Sequence, residues 1–234
     1  IKSYFSKELN EFTKERENTN YLYGNIQSNI DYKGPIIEWY YKIKWRLEKN
    51  NYAYYDSLIP NNAKVYDLGC GYGFLSCFLH LRSVDREIIG IDYDSEKVNI
   101  AQNYFMFKNL QNLRFSNQNI LDTKLENPDV ILLNDILHYL DKESQSSVLI
   151  NCFKNLNENG VILIREGEKE NKSHIFTKFT ELLSTKIFRF NKADIELSFI
   201  SRSFLNDLAK QFSFKIEEFN HSKITSNKLF ILRK

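Results

Sequence analysis

The chain has 234 residues, 42% of them hydrophobic, and a formal net charge of +2 at pH 7. That apolar content supports a full core and excludes wholesale disorder, and near-neutral charge with scattered Lys and Arg leaves nucleic acid no electrostatic footprint. Cys70, Cys77 and Cys152 show no metal-ligand spacing, and no apolar run approaches the roughly 20 residues of a membrane span.

An odd cysteine count suits a reducing compartment, so a cytoplasmic protein is expected. Numbering opens at Ile1, which fits a chain cut from a longer protein with flanking domains. Residues 1–30 are polar and Asn-rich, and predict a helix over 3–16 followed by a loop. Gly34-Pro35 is a helix-start signal, and 36–47, with Trp39 and Trp45, reads as an aromatic amphipathic helix. A short helix over 51–59 ends at Pro60. Residues 1–59 are therefore expected as a helical cap or lid, and 60–234 as the main domain. The tryptophans either cover the site or pack on the core.

Residues 64–74 organise the rest. Lys64-Val65-Tyr66 leads into Asp67, a turn containing Gly69, Cys70, Gly71 and Gly73 follows, and an apolar helix pattern begins at Phe74. Only eight glycines occur in the chain, and three alternate here. Such clustering predicts a tight turn that something approaches closely, at the ligand-binding corner of a doubly wound sheet. The dinucleotide pattern needs a small residue where Phe74 stands, so NAD is disfavoured.

The pattern acid-x-G-x-G-x-G instead resembles motif I of the class I S-adenosyl-L-methionine (SAM) methyltransferases. The resemblance implies SAM as cofactor, with Asp67 toward its ammonium and the helix N-terminus beyond Gly73 toward its carboxylate. Gly69, Cys70 and Gly71 would line the same pocket, and Tyr32 or Lys33 would come near the carboxylate. Specific motifs of this kind span about residues 60–165.

Glu87–Asp92 reads as the second strand, and its terminal acid falls about 20 residues past the glycine corner, the spacing of a ribose-binding carboxylate. The resemblance extends to Gly90-Ile91-Asp92-Tyr93-Asp94, like motif II of the family. It places Asp92 on the ribose and Tyr93 along the adenine, with Asp94 or Ser95 capping a helix to about Lys108. A third strand is expected at 112–116. Beyond it, the family position of an adenine-binding acid is filled by Asn119, which keeps a carbonyl acceptor, beside Ile120; Asp122 is the alternative acceptor.

Pro128–Asn134 predicts a strand buried on both faces. The segment from Asn134 and Asp135 through His138, Tyr139 and Leu140 resembles the post-strand-four segment of small-molecule methyltransferases. Asn134 would border the cofactor, and the others would stand near the transferable methyl. Asp141 caps a helix to about Leu156, and Val161–Arg165 is the fifth strand, with Glu166 at its end. An insertion helix over 171–186 carries His174. Ser201 caps a helix from Ser203 to Gln211, and Phe214–Phe219 with Lys228–Leu232 forms a closing hairpin. The fold expected is α/β, a Rossmann-like doubly wound seven-stranded sheet with its last strand antiparallel.

A narrower resemblance rests on Tyr32–Tyr40, Asn134–Tyr139 and Thr177–Glu181. It is similar to bacterial methyltransferase modules of aryl-polyene and flexirubin-type pigment loci. That resemblance implies a phenolic or carrier-bound aryl acceptor, methylated on carbon or oxygen. His138, Tyr139 and His174 are the candidates for proton handling, with Asp135 and Glu166 as orienters, and no metal is required. A non-catalytic SAM-binding partner protein and a NAD-dependent oxidoreductase are the alternatives.

Overall fold

Runs rich in β-branched and large apolar side chains become strands of one mixed sheet, ordered β3-β2-β1-β4-β5-β7-β6. The computed structural model describes residues 51–106, 111–167, 198–219 and 227–234. The strands are β1 (Lys64–Leu68), β2 (Glu87–Asp92), β3 (Leu113–Asn117), β4 (Val130–Asn134), β5 (Val161–Gly167), β6 (Lys215–Phe219) and β7 (Asn227–Arg233). The first five are mutually parallel, and β7 runs antiparallel to both β5 and β6. This is the expected seven-stranded sheet, with its third strand one residue later than the sequence suggested.

The helices are α1 (residues 51–58), α2 (Phe74–Arg82), α3 (Ser95–Met106), α4 (Lys142–Asn155) and α5 (Arg202–Gln211). Right-handed crossovers put α2 and α3 on one face of the sheet and α4 on the other. Strand order reverses at β1, which pairs with β2 on one side and β4 on the other. The crevice beyond the carboxyl ends of β1 and β4 is where such sheets bind ligands.

Helix starts follow the expected side chains. Asp141 accepts from the Ser144 N–H at 2.7 Å, and Ser201 from the Phe204 N–H at 3.2 Å. Asp94 accepts from the Glu96 and Lys97 N–H groups, so it is the cap of α3. Under α4 and α5, Val148, Leu149, Phe153, Leu205 and Leu208 pack on Tyr66, Leu68, Leu133 and Ile164. Each such side chain contributes roughly 1.5–3 kcal/mol by leaving water, and the slab they form fixes the strand ends that carry the site.

One buried charge ties α1 to this slab. Arg86, just before β2, donates to Asp56 Oδ1 at 2.7 Å and to the carbonyls of Pro60, Leu79 and Ile59. From the residue next to Asp56, the Tyr55 hydroxyl donates to Asn134 Oδ1 at 3.1 Å. The helix thus reaches the carboxyl edge of β4. The helices expected over 3–16, 36–47 and 171–186 lie outside the described residues, as do Tyr32, Lys33, Trp39 and His174.

Candidate active site

The glycine turn is pinned to β2 because the Gly69 and Cys70 N–H groups both donate to the Ile91 carbonyl, at 2.8 and 3.0 Å. Its three glycines have φ of 78°, 56° and 72°, a left-handed region that side chains rarely adopt. They make room for different things. A Cβ on Gly69 would lie 2.6 Å from Ile136, and one on Gly73 would enter the Phe115 ring. A Cβ on Gly71 would meet nothing within 4 Å. Two of the glycines accommodate the protein's own side chains, and Gly71 faces open space.

Two acids sit beneath and beside the turn. Asp67 is buried, and its Oδ2 accepts from the Ser76 hydroxyl at 2.6 Å. Asp92 is also buried; Oδ2 accepts from the Gly71 N–H at 2.8 Å and Oδ1 from the Asp94 N–H at 2.9 Å. Burial first, then these two carboxylates, push the Cys70 thiol well above its ordinary pKa, so Cys70 stays protonated in the turn. Tyr93, next to Asp92, is 56% exposed.

The loop after β3 differs from expectation in what its side chains do. Asn119 Oδ1 accepts from the Leu121 N–H at 3.1 Å, an Asx turn that engages the carbonyl expected to face adenine. Ile120 is buried in the core cluster with Leu68, Ile91 and Leu133. Its apolar side chain packs in that cluster.

At the adjoining strand ends, Glu166 organises the segment after β4. Its carboxylate is 1% exposed, with Oε1 accepting from the N–H groups of Ile136 (3.0 Å) and Leu137 (2.7 Å). Its Oε2 lies 2.7 Å from His138 Nδ1. His138 sits in a 3₁₀ turn, Leu137–Tyr139, with the Tyr139 ring centroid at 4.2 Å and Phe199 stacked at 5.8 Å. The sequence named Asp135 and Glu166 as orienters for His138. Asp135 instead has φ of 56°, takes its turn before the 3₁₀ segment starts, and pairs with the Arg165 guanidinium. The orienting carboxylate against His138 Nδ1 comes from β5.

The family model described as a methyltransferase domain matches residues 59–199. The chain belongs to this methyltransferase family. The carboxy-S-adenosyl-L-methionine synthase of Idiomarina loihiensis is 28% identical over 112 residues, 46% of each chain. The methyltransferase chain thus spans about half the length of the curated relatives it matches. An O-methyltransferase family protein from Burkholderia thailandensis superposes with a TM-score of 0.61 at 19% identity, over 83% of this chain and 58% of that one. Mitomycin 7-O-methyltransferase superposes at 0.64 with 14% identity, over 86% and 58%. These two likenesses concern the fold.

SAM is the cofactor of the family, and the residues present fit it. Gly71 leaves open space at the switch point, and α2 starts without a side-chain cap, leaving backbone N–H groups for a carboxylate. Asp92 keeps lone pairs beyond its two backbone bonds. Ser76, Tyr55, Arg165 and Phe199 were not singled out from the sequence. Ser76 could have been found, since it lies one turn into α2 and faces back toward β1. The others reach the site only through pairing and packing distant in sequence. Among the described residues, no cluster of three His, Cys, Asp or Glu is placed to hold a metal, and no helix is long and apolar enough to cross a membrane.

Proposed function

We propose that the protein methylates a small-molecule acceptor, a phenolic ring or an aryl-polyene-type precursor, with His138 accepting the acceptor's proton. The observation that supports this most is the His138–Glu166 pair at 2.7 Å, flanked by Tyr139 and Phe199 at the carboxyl edge of β4. When bound, SAM supplies a methyl group already activated by its sulfonium.

The chain's own residues then bind, orient and move a proton. Asp92 and Gly71 hold the cofactor's ribose side, and Asn134, fixed by Tyr55, borders it from β4. Glu166 accepts two backbone N–H groups on Oε1, which fixes Oε2 against His138. With Oε2 accepting from His138 Nδ1–H, Nε2 is left as the basic ring nitrogen. A neutral imidazole suits a phenol or an activated ring carbon, because its pKa lies near working pH. Tyr139 and Phe199 give a planar aromatic acceptor surfaces to lie along.

The test is transfer of isotopically labelled methyl from SAM to a panel of phenols and carrier-bound aryl acids, read by mass spectrometry. His138→Asn should lose roughly 10²–10⁴ in turnover with SAM affinity unchanged. If His174→Asn carries that loss instead, the proton-handling role moves to His174. A protein that binds SAM and labels nothing in the panel would be a SAM-binding partner protein, and the enzymatic reading would fall.

A further inference from the structure

The first turn of α4 carries a buried amide with an unusual set of partners. Gln145 is 1% exposed. Its Nε2 donates to the carbonyls of Leu137 at 3.0 Å, Leu140 at 3.1 Å and Ser198 at 2.6 Å. An amide nitrogen has two hydrogens, so three acceptors share them and the shortest contact, to Ser198, is the firmest. Leu137 and Leu140 bracket the His138 turn, whereas Ser198 is 53 positions further along the chain. The same two segments are joined a second time, because the Ser198 N–H donates to the His138 carbonyl at 2.9 Å. Phe199, the next residue, then stacks on the His138 ring at an interplanar angle of 21°.

We infer that Gln145 is a positioning residue: it clamps the 198–200 segment onto the His138 turn and so sets the aromatic wall over the imidazole. Four backbone carbonyls and one backbone N–H are committed to this junction. Removing the amide takes a donor from three carbonyls; Leu137 keeps the Leu140 N–H, but Leu140 and Ser198 lose this bond, which water cannot replace without prying the segments apart. The segment that moves away carries Phe199 with it. The side of the site facing the acceptor is therefore set by a residue that touches neither acceptor nor cofactor. The consequence for catalysis rests on the reading of His138 given above, but the clamp itself does not.

The test uses histidine and backbone resonances of the full chain, which need no turnover. In Gln145→Leu, the Ser198 amide should exchange with solvent roughly tenfold faster, since one or two hydrogen bonds no longer hold its segment. The His138 ring resonances and titration midpoint should shift, while those of His80, inside α2, stay in place. A purely structural role would lower stability without moving His138 selectively. In the unmodified protein, the Gln145 side-chain amide protons should exchange more slowly than those of exposed Gln118. Exchange of Gln145 at the Gln118 rate would overturn the clamp whether or not the variant folds. So would a folded Gln145→Leu with Ser198 protection and His138 resonances as in wild type. If the clamp holds and His138→Asn still turns over normally, the proton role fails and the positioning geometry stands.

Discussion

The Gly71 N–H donates to Asp92 Oδ2 at 2.8 Å, so the glycine with open space around its Cα is held by the acid that ends β2. One bond couples the two segments whose motifs resemble the cofactor-binding motifs of methyltransferases. It also divides the labour of the glycine corner. Gly69 and Gly73 make room for Ile136 and Phe115, and Gly71 leaves open space.

Alanine at these glycines should therefore separate folding from binding. Gly71→Ala adds a methyl into open space at φ of 56°, a strain of roughly 1–2 kcal/mol that a folded domain survives. SAM affinity should fall at least about tenfold, because that methyl occupies the approach to the turn. Gly73→Ala drives its methyl into the Phe115 ring and should lower the thermal midpoint more than Gly71→Ala does. Calorimetry and thermal melts on both variants give the answer. Normal SAM affinity in Gly71→Ala would place the cofactor elsewhere.

Glu166→Gln tests the orienting carboxylate. The amide oxygen can still accept from the Ile136 and Leu137 N–H groups, so the turn should persist. Its NH₂ would face His138 Nδ1 and hold the ring in the tautomer with a protonated Nε2, the wrong form for a base. Turnover of an acceptor found by label transfer should drop roughly 10²-fold or more with SAM affinity unchanged. Wild-type rate should rise with pH as its base loses a proton, and the variant should lose that limb. A variant with wild-type rate and profile would reduce Glu166 to a structural role.

Much of this architecture was legible in the sequence, for identifiable reasons. β2 and β4 are short apolar runs ending in Asp92 and Asn134, β1 carries Asp67 one residue before its end, and Asp141 and Ser201 are caps whose chemistry is local. The partners that complete the site are non-local. Glu166 was named as an orienter from its place at the end of a strand, but its contact with His138 depends on β5 pairing with β4, with Asn134 opposite Arg165, a register that no local pattern encodes. Of the two orienters named, Asp135 has a left-handed backbone and pairs with Arg165, neither of which its local sequence signals. Ile120, named from its place in a motif, packs in the core cluster, as its apolarity favours. Arg86 gave no signal, since its partners are mostly carbonyls.

Breaking that arginine's ion pair should be costly. Asp56 bonds Arg86 at 2.7 Å and Arg82 at 2.9 Å, and the Arg86 side chain is 1% exposed. Asp56→Ala would leave a buried guanidinium with only carbonyls around it, a loss of roughly 3 kcal/mol at the lower end for a broken buried pair. Urea denaturation should show a lower midpoint with an unchanged slope. A loss under about 0.5 kcal/mol would mean the carbonyls of Pro60, Leu79 and Ile59 suffice.

Acid sensitivity should come in part from His80. It is 2% exposed on α2, and its Nδ1 has no hydrogen-bond partner among the described residues. Burial lowers its pKa, and a bond to the Arg86 backbone opposes this only in part. The folded protein therefore binds this proton more weakly than the unfolded chain, whose imidazole titrates near about 6.5. Below that pH the unfolded state takes up the proton first, so stability falls as pH drops from about 6.5 toward the folded-state pKa. Above pH 7 both states are neutral and the group contributes no slope. His80→Leu removes the titration, and its urea midpoint should change less between pH 7 and pH 5 than that of the wild type. The comparison is of slopes, because the leucine also forfeits the bond to Arg86 and can be less stable at every pH. Parallel pH dependence in the two proteins would mean that His80 binds its proton equally well folded and unfolded.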